Sequence, residues 1–552
     1  MGQPAGLSYD RIPWTWILVA AGALFYIPFI GGVALFDWDE INFAEISREM
    51  MMTGDYLNIQ VNYKAFFEKP PFFFWLQVLS MKAFGINEFA ARLPNALAGI
   101  LVLVLLFKTG TRWIDQRFGL FWALSYLGSI LPTLYHKSGI IDPWFNLFIF
   151  SAILTWVQGV KSSSIKWFLI SGLLSGMAVL TKGPVGPLLI GMTVLIMRLW
   201  SKDKNYLGFK NVLLFIIGNS VVAGIWFGIN WISNGPEFIM AFLKYQAELL
   251  TESVAGHKGF PGYHFAVALF GIFPASIFAL GALRKKQVDE SVDIYHFRLL
   301  MIIIVAVVLV LFSVVQSKIV HYSSMIYYPV SFLSAWSVCR FLDGQQRWKA
   351  WQLTTGVFVA VIFLIAMIAL PTVGMHIDWL KNSFTFDAFT SASLDAQVMW
   401  TWIDYFPAAW LLMILGAFIY LWRRGKQDYS LMTLFSGMGL FVTIALIFFI
   451  GKIERYSQHA PVEFCEKYEG QQVEIQTIGY KSYLPFFYAQ KPVPDTTRSA
   501  ADMPHYYILK VDKRKKLEER PELQIMYEKN GCLLYTSPSP RDRTRSRMPS
   551  SA

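Results

Sequence analysis

Residues 65–76 read AFFEKPPFFFWL. Glu68 and Lys69 stand side by side between Phe66-Phe67 and the run Phe72-Phe73-Phe74-Trp75. Two charges in so apolar a stretch are costly unless they are paired, hydrated or at work. Pro70 and Pro71 exclude a helix running through the spot and push Lys69 towards an extended backbone. The meaning of the segment depends on where it sits relative to a membrane, so the rest of the chain has to be placed first.

Of 552 residues, 55% are hydrophobic and only 15% charged, where a soluble protein carries about 25% charged residues. Mean hydropathy is +0.43. Runs of roughly 20 apolar residues read as membrane spans. Thirteen candidates fall at about 12–35, 93–107, 118–135, 143–160, 167–181, 184–200, 211–233, 265–283, 299–315, 322–339, 351–371, 406–422 and 430–451. The first is followed by Asp37-Trp38-Asp39-Glu40 without a small-residue cleavage site, which fits a retained span rather than a signal peptide. A pI near 9.3 invites a nucleic-acid reading, but the bases are not clustered for one. Most loop lysines and arginines lie on the side of the N-terminus, although those connections are shorter. That bias places the N-terminus inside.

An odd number of spans leaves the chain beyond about 451 on the outer side. There Glu454–Tyr468 suits a helix, while VEIQTIG (473–479) and HYYILKV (505–511) alternate like strands. The expected fold is therefore mainly α, a polytopic membrane domain over 1–451 with interfacial helices in its outer loops. A small α/β outer domain follows over 452–535. The tail 536–552, TSPSPRDRTRSRMPSSA from Thr536, has almost nothing to bury and is expected to be disordered and non-native. Three cysteines are too few for a disulfide framework; Cys465 and Cys532 either pair or stay as free thiols. The sequence contains no long-period repeat, nucleotide-binding P-loop, HExxH or CxxC pattern.

The polar chemistry gathers on the outer side. The loop from Phe36 to Arg92 is long and too aromatic for disorder. Within it Ile41, Ala44, Met51 and Met52 share one side of a helix and Glu45, Arg48 and Glu49 point elsewhere, the pattern of a helix lying in the interface plane. The phenylalanines around Glu68 are expected to dip into the membrane interface. Asp39 and Glu40 emerge at the end of the first span, and Asp142 lies beside another span end with His136 and Lys137. Lys182 sits in LTKGPVGP, and Lys318, His321 and Tyr322 sit in QSKIVHYSSMIYYP. Each alone suits a helix anchored at the interface. Together they put acids and cations at one membrane edge, where ionisable residues mark function. Lys69, Lys182 and Lys318 can neutralise a phosphate, apolar walls accept a lipid tail, and a carboxylate can deprotonate a hydroxyl or orient a sugar.

An ordered series of motifs then points to a family. Asp39-Glu40, AEISREM, GDY, FEKPP, FAARLPNALAG and TKGPVG follow one another over residues 36–190. They resemble the polytopic GT-C glycosyltransferases, and most closely the lipid A aminoarabinose transferases, relatives of the protein O-mannosyltransferases. AGHKGFPGYH and SKIVHY match more thinly. The resemblance implies an inverting transfer from a polyprenyl-phosphate sugar to a lipid A-like lipid or a protein, at the periplasmic face of a bacterial inner membrane. It makes Asp39, with Glu40, the leading acidic group at the active site, and Asp142 the second carboxylate. Lys69 is catalytic and also grips the donor phosphate. Lys182, Lys318, His321 and Tyr322 face the lipid carrier. Glu68, with His257 or else His264, would hold a divalent ion, zinc. The chain departs from the family at Asn42-Phe43, where Arg-Tyr is usual, and at SKIVHYSS. A secondary transporter or flippase for a lipid-linked or anionic substrate is the rival reading, but it calls for related halves and midplane charges, and neither is present in the sequence.

Overall fold

The computed structural model describes residues 9, 12–37, 39–251, 259–283, 290–494, 503–517, 519–521 and 523–536. Most of the chain is helical. Seven helices among the described residues are long and apolar enough to cross a membrane, eight if the bent pair Tyr263–Gly271 and Ala275–Ala282 counts as one span.

Each of the thirteen apolar stretches is helical over much of its length, but several differ from a simple span. The first forms a helix only over Trp14–Tyr26. The third is two helices, Gln116–Leu127 and Ile130–Tyr135; between them Gly128 packs against backbone, and a side chain there would come 2.4 Å from the carbonyl of Phe435. The eighth bends by 110° between its two pieces. Lys166–Lys182 and Phe209–Asn234 pack backbone to backbone at Gly172 and Gly218, where small residues allow the close approach that membrane helices favour.

The Pro-Pro segment behaves as its chemistry dictates. Residues 66–71 are irregular, and the helix Phe72–Phe84 starts at once after Pro71. Of the phenylalanines around Glu68, Phe66, Phe73 and Phe74 are buried in protein, while Phe67 and Phe72 are half-buried. Phe73 and Phe74 are fully buried against Phe43 at 6.1 and 5.6 Å between ring centroids.

The interfacial helix also has to be corrected. Asp39–Thr53 is a helix, but every residue from Glu40 to Met50 is buried in protein. It is covered by the helix Phe72–Phe84 and the strand Gln60–Val61, and by the short helix Leu484–Tyr488 from the far end of the chain. Four strands form a sheet: Glu474–Ile478 runs parallel to His505–Lys510, which pairs antiparallel with Cys532–Thr536, and Gln524–Lys529 lies at the edge. One face of the sheet, through Ile475, Ile508 and Leu534, joins Val462, Leu484 and Tyr488 in one core with Ile41, Phe43 and Phe73. The Tyr488 hydroxyl accepts from the amide of Leu35 at 2.6 Å, and the amide of Tyr483 donates to Asp37 at 3.3 Å. Amphipathic periodicity reports that one helix face is apolar; it does not report that a second unit will cover the other. Cys339, Cys465 and Cys532 are free and buried. Residues 537–552, nearly all of the expected tail, lie outside the described residues.

Candidate active site

Lys182 is the last residue of Lys166–Lys182, stopped by Gly183 at φ +112°. A Cβ at Gly183 would lie 2.9 Å from the ring of Phe242, so glycine both permits the turn and lets the helix Glu237–Thr251 close on it. The Lys182 ammonium donates to Oδ1 of Asp142 at 2.6 Å. Asp142 begins the helix Asp142–Ser162, where the helix dipole favours a carboxylate, and its Oδ2 is buried with no hydrogen-bond partner among the described residues. Lys182 also lies 5.4 Å from the ring centroid of Tyr322.

Lys69 joins this group from the irregular segment. Its ammonium lies 5.1 Å from the ring centroid of Tyr245. Burial pulls it below the ordinary lysine range. Glu68, Asp39 and Asp142 oppose the shift, while Lys182 adds to it. Burial, and then the Glu68 charge, raise the Tyr245 phenol. His321 feels Asp142, Lys182, Asp39 and Lys69, and burial holds it towards the neutral form. Asp39, half-buried at the head of its helix, acts electrostatically on Lys69, Tyr245, His321 and Tyr322. One cluster therefore brings together Asp39, Glu68, Lys69, Asp142, Lys182, His321 and Tyr322, with the addition of Tyr245.

Two expected members turn elsewhere. Glu40 is gripped by Arg92, whose Nε and Nη2 donate at 2.9 and 2.7 Å, and it accepts the amides of Phe36 and Gly139 at 3.0 and 2.5 Å. Burial works against its ionisation, yet Arg92 and these donors win and hold the carboxyl below its usual range. Lys318 spends all three N–H donors on the carbonyls of Phe312, Ser313 and Val315, at 2.9, 2.7 and 2.6 Å. It caps the end of Val292–Val314 and has no donor left for a phosphate.

The metal proposal meets a thin donor set. Among the described residues no three His, Cys, Asp or Glu side chains form a metal-holding group. His257 lies outside the described residues. His264 is fully buried, with Nδ1 3.1 Å from the hydroxyl of Ser323. The described residues alone do not complete a zinc site.

The dolichyl-phosphate-mannose-protein mannosyltransferase family matches residues 68–226, which contain Lys69, Asp142 and Lys182. Undecaprenyl phosphate-alpha-4-amino-4-deoxy-L-arabinose arabinosyl transferase from Edwardsiella ictaluri is 27% identical over 353 residues, 61% of each chain. The enzyme of that name from Pectobacterium atrosepticum is 28% identical over 329 residues, 58% of each. The crystal structure of ArnT from Cupriavidus metallidurans bound to undecaprenyl phosphate superposes with a TM-score of 0.73 at 20% identity, covering 95% of this chain and 98% of that one. The chain resembles the lipid A aminoarabinose transferases. It shares the fold of the ArnT structure over nearly its whole length, while sequence similarity spans about three-fifths of the two curated aminoarabinose transferases.

Several residues of the transferase-like motifs prove to be braces. In FAARLPNALAG, Arg92 locks Glu40 and also donates to the carbonyls of Ile30, Val33 and Ala34. Asn95 donates to the carbonyls of Ser138 and Ile140, both at 2.6 Å, and so fixes the approach to Asp142. Tyr245 carried no sequence signal, being one aromatic in a loop helix rich in apolar residues.

Proposed function

We propose that the chain is an integral-membrane glycosyltransferase that moves a sugar from a polyprenyl-phosphate carrier to a lipid A-like lipid or a protein at the periplasmic face of a bacterial inner membrane. The observation that carries this reading is the partly buried cluster of Lys69, Lys182, Asp142 and Asp39 at the rim of an apolar helical bundle. A lipid-linked phosphate needs cations for its head and apolar walls for its tail.

In the reaction, the bond from the anomeric carbon to the donor phosphate oxygen breaks as an acceptor oxygen bonds to the opposite face of that carbon. The departing polyprenyl phosphate gains negative charge. Lys69 and Lys182 meet that charge and so stabilise the transition state more than the ground state. Asp39 accepts the proton of a hydroxyl acceptor, or orients an acceptor that is already a phosphate. Asp142 offers its unpartnered Oδ2 to the sugar or acceptor. Tyr245 and Glu68 hold Lys69 in place, and His321 and Tyr322 line the carrier side. Glu40 acts as a positioning residue through Arg92, and Lys318 is left out of the donor set. A zinc ion between Glu68 and His257 would tie two loops together; no step of the transfer passes through it.

Thirteen spans, a membrane domain over 1–451, a periplasmic α/β domain over 452–535 and a non-native tail from 536 belong to the same reading. The experiment is transfer by the purified chain, with undecaprenyl-phosphate aminoarabinose as donor and lipid A as acceptor, followed by mass spectrometry with and without a chelator. The mass profiles of lipids and glycoproteins from cells with and without the protein are compared alongside. No sugar added to any acceptor, with unchanged profiles, sinks the glycosyltransferase reading. Loss of activity on chelation, restored by zinc, supports the ion.

A further inference from the structure

Lys137 is a cation that the transfer chemistry does not use. It is only 9% exposed, and its ammonium donates to the carbonyls of Pro28 at 3.0 Å and Tyr26 at 3.5 Å. Both acceptors are neutral. Among the described residues no carboxylate pairs with it, although Glu40 lines the same cavity, because Arg92 and two amides already occupy Glu40. A buried charge without a counter-ion is costly and calls for an anion. Burial pushes Lys137 down to about 8, which leaves it mostly cationic at neutral pH.

The surroundings indicate what kind of anion fits. Lys137 lines a cavity of about 190 Å³ whose walls include Leu134, Leu446, Ile447 and Ile450. Phe29 and Ile447, also at its edge, are 68% and 42% exposed on the apolar outside of the bundle. Lys137 beside the apolar trough of Leu134, Leu446, Ile447 and Ile450 suits a ligand with an anionic head and a hydrocarbon tail. The cavity shares no residue with the Lys69–Asp142 cluster, and the braced Glu40–Arg92 pair stands in its wall.

We propose that this cavity is a second lipid-phosphate site, separate from the donor cluster, in which Lys137 holds the phosphate of a membrane lipid and the trough holds the start of its acyl chain. The proposal does not depend on the chain being a glycosyltransferase.

The test uses the full chain in nanodiscs doped with phosphatidic acid or diacylglycerol carrying the same photoreactive acyl chain. Cross-linked peptides are mapped by mass spectrometry. Phosphatidic acid is expected to label the peptide containing Leu446, Ile447 and Ile450 about tenfold more than diacylglycerol, the ratio one charge-assisted hydrogen bond supports. Lys137→Met should abolish that excess. Ile447→Trp, which keeps the cation and fills the trough, should lower labelling even if Lys137→Met does not fold. Equal labelling by the two lipids, or an excess that survives either substitution in folded protein, overturns the site. Displacement of the phosphatidic acid by millimolar inorganic phosphate would make it an ordinary anion site and remove the lipid.

Discussion

Lys182 and Asp142, forty residues apart, meet at 2.6 Å with their side chains 15% and 3% exposed. The pair closes the gap between two helix ends and leaves one carboxylate oxygen unspent. Removing one partner of a buried pair costs about 3–5 kcal/mol, because the other charge is left stranded. Lys182→Met and Asp142→Asn should therefore each lower the melting temperature and transfer activity. The double variant should recover part of the stability and none of the activity. Thermal melts and transfer rates on the four proteins check this. Additive losses in both would mean that the two residues act independently.

Lys318 separates capping from catalysis. Its three donors are spent on helix-end carbonyls, and a buried carbonyl left without a partner costs about 1–3 kcal/mol. Lys318→Met should destabilise the protein yet leave the apparent affinity for the polyprenyl-phosphate donor within about twofold, since a solvent-scale change that small is under 0.5 kcal/mol. Titration of donor at a temperature where both proteins are folded checks this. A donor affinity that collapses with stability unchanged would restore Lys318 to the phosphate site.

The reach of sequence reading differs from residue to residue here. Lys69, Asp142 and Lys182 are legible because a charge in an apolar run has few innocent explanations, and because three such charges fall at one membrane edge. The sequence does not say which charge answers which. Glu40 and Lys318 carry the same signal as their neighbours, yet one pairs with Arg92 and the other caps a helix, and only tertiary contacts decide that. Tyr245 is silent because a tyrosine costs nothing in an interfacial helix. The burial of Asp39–Thr53 is hidden too, because part of its cover, the short helix Leu484–Tyr488, comes from the opposite end of the chain. Strand existence, by contrast, follows from alternation alone: 473–479 and 505–511 contain Glu474–Ile478 and His505–Lys510.

The buried acids of that helix make stability pH-dependent. Glu45, Arg48 and Glu49 are at most 1% exposed, with Arg48 clamped on Glu45 at 2.7 and 2.8 Å. Burial first, and then the neighbouring Glu45 charge, push Glu49 up to about 8. The folded state thus holds a proton that the unfolded chain releases near 4.3. This stabilisation is fully present below the unfolded value and is lost as pH rises through the folded one. Melting temperature should accordingly fall between about pH 5 and pH 8, and Glu49→Gln should flatten that slope and be the more stable protein at the alkaline end. Melts of both proteins across that range decide it. A slope unchanged by the substitution would place the titration elsewhere.

Asp39 offers the sharpest test of the site, because its loss should change a neighbour as well as the rate. It is half-buried at a helix head, and its negative charge supports protonated Lys69 against the burial and the Lys182 repulsion that pull that ammonium down. Asp39→Asn keeps the size of the side chain and should leave the melting temperature nearly unchanged. Turnover with a hydroxyl acceptor should fall by about 10²–10⁴-fold, the usual worth of a general base. With a phosphate acceptor, which needs no base, the fall should be smaller. In either case Lys69 loses one of the charges holding its proton, so it should deprotonate at lower pH than in the parent protein. The alkaline limb of the pH–rate profile should therefore move to lower pH in Asp39→Asn. Lys69→Arg, which cannot deprotonate in the working range, should lose that limb while keeping some turnover. Measured on purified protein with a defined donor, parent-like turnover and an unmoved alkaline limb in Asp39→Asn would remove Asp39 from the reaction and from the electrostatic circle around Lys69.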